Sequence, residues 1–152
     1  MKKIRFLIIG WLAASVLSAG PITTIPAFPT QEDSIEIRFH ADQGDQGLMG
    51  YDGDDVYAHT GVITTESAGS SDWRYVVAGW EDNTDKARLT RIDTNEWSLT
   101  IGQPGDFYID HETGDSIPDS EDILQLAFVF RNGDGTVTGR AIGGDDIFVP
   151  LF

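Results

Sequence analysis

Apolar and polar residues alternate along much of this chain with a period of two, the signature of strands that bury one face. Ser34-Ile35-Glu36-Ile37-Arg38-Phe39-His40 is the clearest case, with Ile35, Ile37 and Phe39 on one side and charged residues on the other. Val56–Thr64 predicts a second strand and residues 73–77 a third. Residues 88–92 and 96–101 predict a hairpin across Asp93-Thr94-Asn95, with Trp97, Leu99 and Ile101 sharing a buried face. Ile123-Leu124-Gln125-Leu126-Ala127-Phe128-Val129-Phe130 is the most apolar run after the N-terminal region, which places it at the centre of a sheet. Asn132-Gly133-Asp134-Gly135 is a tight-turn signal. The chain returns from Val137, and residues 146–149 close the domain before Pro150 limits further pairing.

Breaks in the pattern mark the connections. Residues 21–33 hold three prolines and no periodicity, which predicts an extended linker. Residues 42–55 form a Gly/Asp loop, and residues 107–120 are irregular, with room for one helical turn. No stretch carries a convincing helical period. The expectation is an all-β fold, an immunoglobulin-like antiparallel β-sandwich of about seven to eight strands, over residues 34–152.

The first twenty residues follow other rules. Met1-Lys2-Lys3-Ile4-Arg5 is basic, residues 6–17 are apolar, and Ser18, Ala19 and Gly20 are small. This is the pattern of a secretory signal peptide, and it predicts export to the periplasm, the cell surface or the medium. The apolar run is shorter than the roughly 20 residues that a membrane span needs. With no cysteine, neither disulfides nor a lipid-bearing cysteine enter the picture.

The chain holds 25 acidic residues against 10 Lys and Arg, a formal net charge of −15, and loss of the leader removes Lys2, Lys3 and Arg5 from the basic side. Phosphate recognition needs clustered Lys and Arg, so nucleic acid and anionic membrane surfaces are poor partners. Neutral ligands such as sugars suit the balance. Calcium is the one cofactor candidate, with Asp42, Asp45, Asp52, Asp54, Asp55, Asp145 and Asp146 as oxygen donors, although none follows a regular calcium-loop spacing. The three histidines fall in no protease or hydrolase motif, and acidic pairs are too abundant here to mark a glycosidase site. The chain therefore reads as a binding protein rather than an enzyme.

Its candidate binding residues are aromatic. Tyr57 and His59, two apart on one strand, project to the same face, and Trp73 returns after a loop of Thr, Ser and Gly. Rings beside hydrogen-bonding groups suit a pyranose, whose apolar face stacks while its hydroxyls reach polar neighbours. Trp80 joins them as a candidate beyond the third strand, and Arg74 and Lys86 as donors to sugar hydroxyls. A cell-surface protein-docking domain, stabilised by calcium, is the alternative use of the same sandwich.

Tyr57-x-His59 followed by Trp73 resembles starch-binding modules of carbohydrate-binding families 25 and 26. The phrases Val56-Tyr57-Ala58-His59-Thr60-Gly61-Val62-Ile63-Thr64, Ser71-Asp72-Trp73-Arg74-Tyr75-Val76, Leu126-Ala127-Phe128-Val129-Phe130-Arg131-Asn132 and Gly144-Asp145-Asp146-Ile147-Phe148-Val149 also resemble the N-terminal module of secreted Bacteroidetes α-amylases. The likeness runs from Ser34 to the end. It implies a β-sandwich, an α-glucan ligand held by Tyr57, His59 and Trp73, and a separate amylase acting on the same polysaccharide.

Overall fold

The computed structural model describes residues 20–152, so the predicted leader lies, apart from Gly20, outside the described residues. Eight strands form: β1 (Ile22–Ile25), β2 (Ile35–His40), β3 (Val56–Thr64), β4 (Thr90–Asp93), β5 (Glu96–Gly102), β6 (Ile123–Asn132), β7 (Thr138–Gly139) and β8 (Ile147–Pro150). One sheet runs β1-β2-β5-β4, and the other β3-β6-β7 with β8 also on β6. Among the described residues every strand pair is antiparallel. The alternation thus yields the all-β sandwich it predicted. Among the described residues no helix is long and apolar enough to cross a membrane.

The two sheets bury their apolar faces against each other. β2 contributes Ile35, Ile37 and Phe39, β5 contributes Trp97, Leu99 and Ile101, and β6 contributes Leu126, Phe128 and Phe130, all in one core cluster. Phe39 of the first sheet stacks on Phe130 of the second at 4.1 Å between ring centroids, and Trp97 lies 6.1 Å from Phe39. Each such fully buried side chain stabilises the fold by about 1.5–3 kcal/mol over leaving it in water. One polar pair sits among them: Thr60 Oγ1 donates to the Ala127 carbonyl (2.8 Å) and meets the Tyr108 hydroxyl at 2.9 Å. Burial raises the Tyr108 pKa far above its usual value, so the phenol stays neutral.

Three predicted elements are corrected. Residues 21–33, expected as a linker, carry β1, whose Ile22 enters the core and whose Ile22 to Ile25 pair with β2 from Phe39 to Glu36. Two isoleucines and two threonines are enough for an edge strand, and the prolines only end it. Residues 73–77 do not form a strand. Arg74 alone bridges Val62, because Tyr75 takes a left-handed φ of 50° that breaks the extended run. The expected helical turn sits slightly earlier, at α1 (Pro104–Phe107), where a proline at its first turn suits helix initiation.

Candidate functional site

The outward face of the second sheet carries the candidate chemistry. Register sets Tyr57 against Arg131, His59 against Val129, Gly61 against Ala127, and Ala127 against Phe148. These are the alternate residues of β3, β6 and β8, turned away from the core residues Val56, Ala58, Phe128, Phe130, Ile147 and Val149. Gly61 and Ala127 make a low floor there. A Cβ on Gly61 would stand 3.0 Å from the Arg74 carbonyl oxygen and 3.4 Å from Trp73 Cβ. Glycine at 61 thus gives the segment bearing Trp73 room to lie close to β3, where a side chain would be tightly packed.

Four rings meet on this floor. His59 stacks on Trp73 at 5.7 Å with 27° between the planes, and meets Trp80 at 5.3 Å with 71° between them. Phe148 meets Trp73 edge-on at 6.4 Å. Because His59 lies nearly parallel to one indole and steeply inclined to the other, the two indoles cannot be coplanar. Both tryptophans and His59 are partly exposed. They line an open depression of about 420 Å³ with Ser71, Asp72, Val76, Val129, Arg140 and Asp146. Arg140 pairs with Asp146 at 2.9 Å, so part of the polar rim is held in place.

The loop that carries each tryptophan is tied to a charged group. The loop of Trp73 is tied to Glu121, a buried carboxylate that accepts from Thr64 Oγ1 and from the Tyr75 hydroxyl (2.7 Å) and pairs with Arg74 Nε at 3.2 Å. Burial alone raises the pKa of Glu121, but the Thr64 and Tyr75 hydroxyls and the Arg74 charge outweigh it and hold the carboxyl below the usual glutamate value. The loop of Trp80 is tied to Arg131, only 2% exposed, whose guanidinium lies 5.4 Å from the Tyr57 ring centroid and 5.7 Å from that of Trp80. Its terminal nitrogens donate to the Asn83 Oδ1 (2.8 Å) and to the carbonyls of Asp82 (2.9 Å), Asn132 (3.0 Å) and Gly133 (3.3 Å).

Of the three histidines, only His59 faces this depression. His40 bonds Thr23 Oγ1 at 2.9 Å, and His111 Nδ1 bonds the Val76 carbonyl at 3.0 Å. Burial first, and then the charge of Arg131, push the His59 pKa below its usual value, so the imidazole is neutral at pH 7. A neutral ring carries one donor and one acceptor, and here Nδ1 is buried without a hydrogen-bond partner.

The predicted site residues divide. His59 and Trp73 come together as the alternation and the loop implied, and Trp80, whose place the sequence left open, joins them. Tyr57 shares their face but is only 8% exposed, with the Arg131 guanidinium 5.4 Å from its ring centroid, and it does not line the depression. Arg74 points to Glu121 and the Glu66 carbonyl. Lys86 lies over the Phe107 ring at 4.9 Å. Neither lines the depression.

Sequence reasoning overlooked Arg131 and Phe148 as site residues. A lone arginine ending the most apolar strand, in register with Tyr57, was the available signal. The carboxylates considered for calcium are in part already engaged: Asp45 accepts from Gly47 and Arg140 backbone N–H, Asp55 from Tyr51 and Gly133, and Asp146 pairs with Arg140. Among the described residues no group of three or more His, Cys, Asp or Glu side chains is arranged to hold a metal ion.

No protein-family model matches the chain, and no curated protein matches it.

Proposed function

We propose that this domain is an exported, non-catalytic carbohydrate-binding module whose ligand is starch or a related α-glucan, bound across Trp73, His59 and Trp80. The observation that carries this reading is the pair of partly exposed, mutually inclined indoles flanking a neutral imidazole, with Asp72, Arg140 and Asp146 at the rim. An indole face offers apolar area to the C–H face of a pyranose, and the rim groups take its hydroxyls. Successive residues of a β-1,4-glucan form a flat ribbon, which suits coplanar rings. The α-1,4 linkage turns each glucose relative to the last, which suits rings set at an angle. Stacking of a planar ligand on an aromatic side chain contributes about 1–3 kcal/mol per ring, which after immobilisation costs points to micromolar to millimolar affinity.

Affinity electrophoresis tests the proposal. In native gels cast with soluble starch the protein is expected to be retarded, and in dextran or xylan gels it is expected to run freely. Unchanged mobility in all three would overturn the reading. The competing reading, a surface for docking another protein, is favoured by one observation. An apolar groove of about 370 Å³ runs beside β1 and β8, and Phe28 and Phe152 at its rim are 75% and 71% exposed. Truncating both phenylalanines to alanine separates the two readings, because starch retardation should survive it.

A further inference from the structure

We propose that Arg131 is the positioning residue of this face: its buried guanidinium, within 5.7 Å of the Tyr57 and Trp80 ring centroids, fixes the angle at which the Trp80 indole meets a ligand. The part of the proposal that concerns ligand rests on the carbohydrate reading above; the part that concerns Trp80 does not.

Arg131 stands where strand alternation sends a side chain outward, yet it is 2% exposed. Two segments cover it. One is the loop of Trp80, which supplies the Asp82 carbonyl and the Asn83 side chain; the other is the turn after β6, which supplies the carbonyls of Asn132 and Gly133. Asn83 Nδ2 also donates to the Gly133 carbonyl at 3.0 Å, so the two segments are joined around the guanidinium. Among the described residues Arg131 forms no ion pair with a carboxylate, and its Nε–H has no partner. Its charge is met by neutral oxygens and by two aromatic faces.

That arrangement uses the properties that distinguish arginine from lysine. The guanidinium is planar, carries its donors in a fixed fork, and stacks on rings because its faces are weakly hydrated. A charge placed there only to balance a carboxylate would need none of these. The fork instead determines where the 82–83 segment sits, and with it the indole two residues earlier. Gly135, in the same turn, closes the other side: a Cβ there would come within 2.9 Å of Trp80 Nε1. Trp80 is thus held between Arg131, Gly135 and His59 while remaining partly exposed.

The test compares Arg131→Lys with the parent protein by two-dimensional ¹⁵N–¹H spectra, in which each indole N–H gives its own signal, and by starch-gel retardation. Lysine keeps the charge and loses the fork. The expected result is a displaced or broadened Trp80 indole signal, an unmoved Trp97 signal, and glucan affinity weaker by on the order of tenfold, the loss of one well-aligned ring. An unmoved Trp80 signal with undiminished affinity would overturn the proposal, since charge alone would then suffice. If Arg131→Lys does not fold, Asn83→Ala takes its place. It removes the 2.8 Å acceptor and leaves the guanidinium buried. It should displace Trp80 as well, and an unmoved Trp80 signal would again count against the role. If the parent protein is not retarded by starch, the carbohydrate reading falls, while the Trp80 signal still decides the positioning role.

Discussion

Trp73 and Trp80 reach the same face of one sheet on loops secured by opposite charges. The loop of Trp73 is tied to a carboxylate, Glu121, with two hydroxyl donors and a partly exposed arginine around it. The loop of Trp80 is tied to a guanidinium, Arg131, with carbonyl oxygens and two rings around it. The first arrangement can be switched off by a proton. The second cannot, because arginine stays charged throughout the accessible pH range. The two halves of the platform should therefore differ in how they respond to acid.

The largest expected effect comes from removing the cationic support. Arg131→Met takes one donor away from each of the Asp82, Asn132 and Gly133 carbonyls and the Asn83 amide oxygen, and should cost about 3 kcal/mol of stability in urea unfolding. Glu121→Gln should cost less, about 2 kcal/mol, since an amide still fills the space and still accepts from one hydroxyl. Equal costs at the two sites would show that the loops are not separately secured.

Acid sharpens the contrast. The pKa of Glu121 is held below the usual glutamate value, so its ionised form stabilises the fold above the ordinary carboxylate range. That contribution is lost as pH falls through the depressed folded value. On titration from pH 7 to about pH 3, the Trp73 indole signal should broaden before that of Trp80. Glu121→Gln should remove the difference between them. Simultaneous loss of both signals would indicate a single cooperative unfolding.

Substitution of the rings themselves should affect binding far more than folding. Trp73→Ala and Trp80→Ala are each expected to abolish starch retardation while costing only about 1–2 kcal/mol in stability, because both indoles are partly exposed. Trp97→Ala, at a core position, should cost about 4 kcal/mol. The smallest change is Gly135→Ala. It strains a φ of 72° and crowds Trp80 by one methyl, and should cost about 1 kcal/mol while displacing only the Trp80 signal.

These two loops also mark where the sequence stopped being legible. The inward faces of β2, β3, β5 and β6 follow from alternation, because each apolar residue there has one destination, the core. The outward face does not, because its burial depends on which loop folds over it. Tyr57 and His59 are equivalent by period, yet Arg131 and its carbonyl partners cover the first and leave the second at an opening. Residues 73–77 read as a strand because they are aromatic and β-branched. The left-handed Tyr75 and its bond to Glu121, 46 positions away, are long-range facts that no local pattern records. β1 was hidden by its prolines, which bracket the strand and do not interrupt it.

The most direct measurement is a titration of ¹⁵N-labelled protein with a linear α-1,4-glucan oligosaccharide, following the indole N–H signals of Trp73, Trp80 and Trp97. Trp73 and Trp80 should move together along one saturation curve while Trp97, sealed in the core, stays in place. Movement of neither partly exposed indole at saturating oligosaccharide would rule out glucan binding on this face.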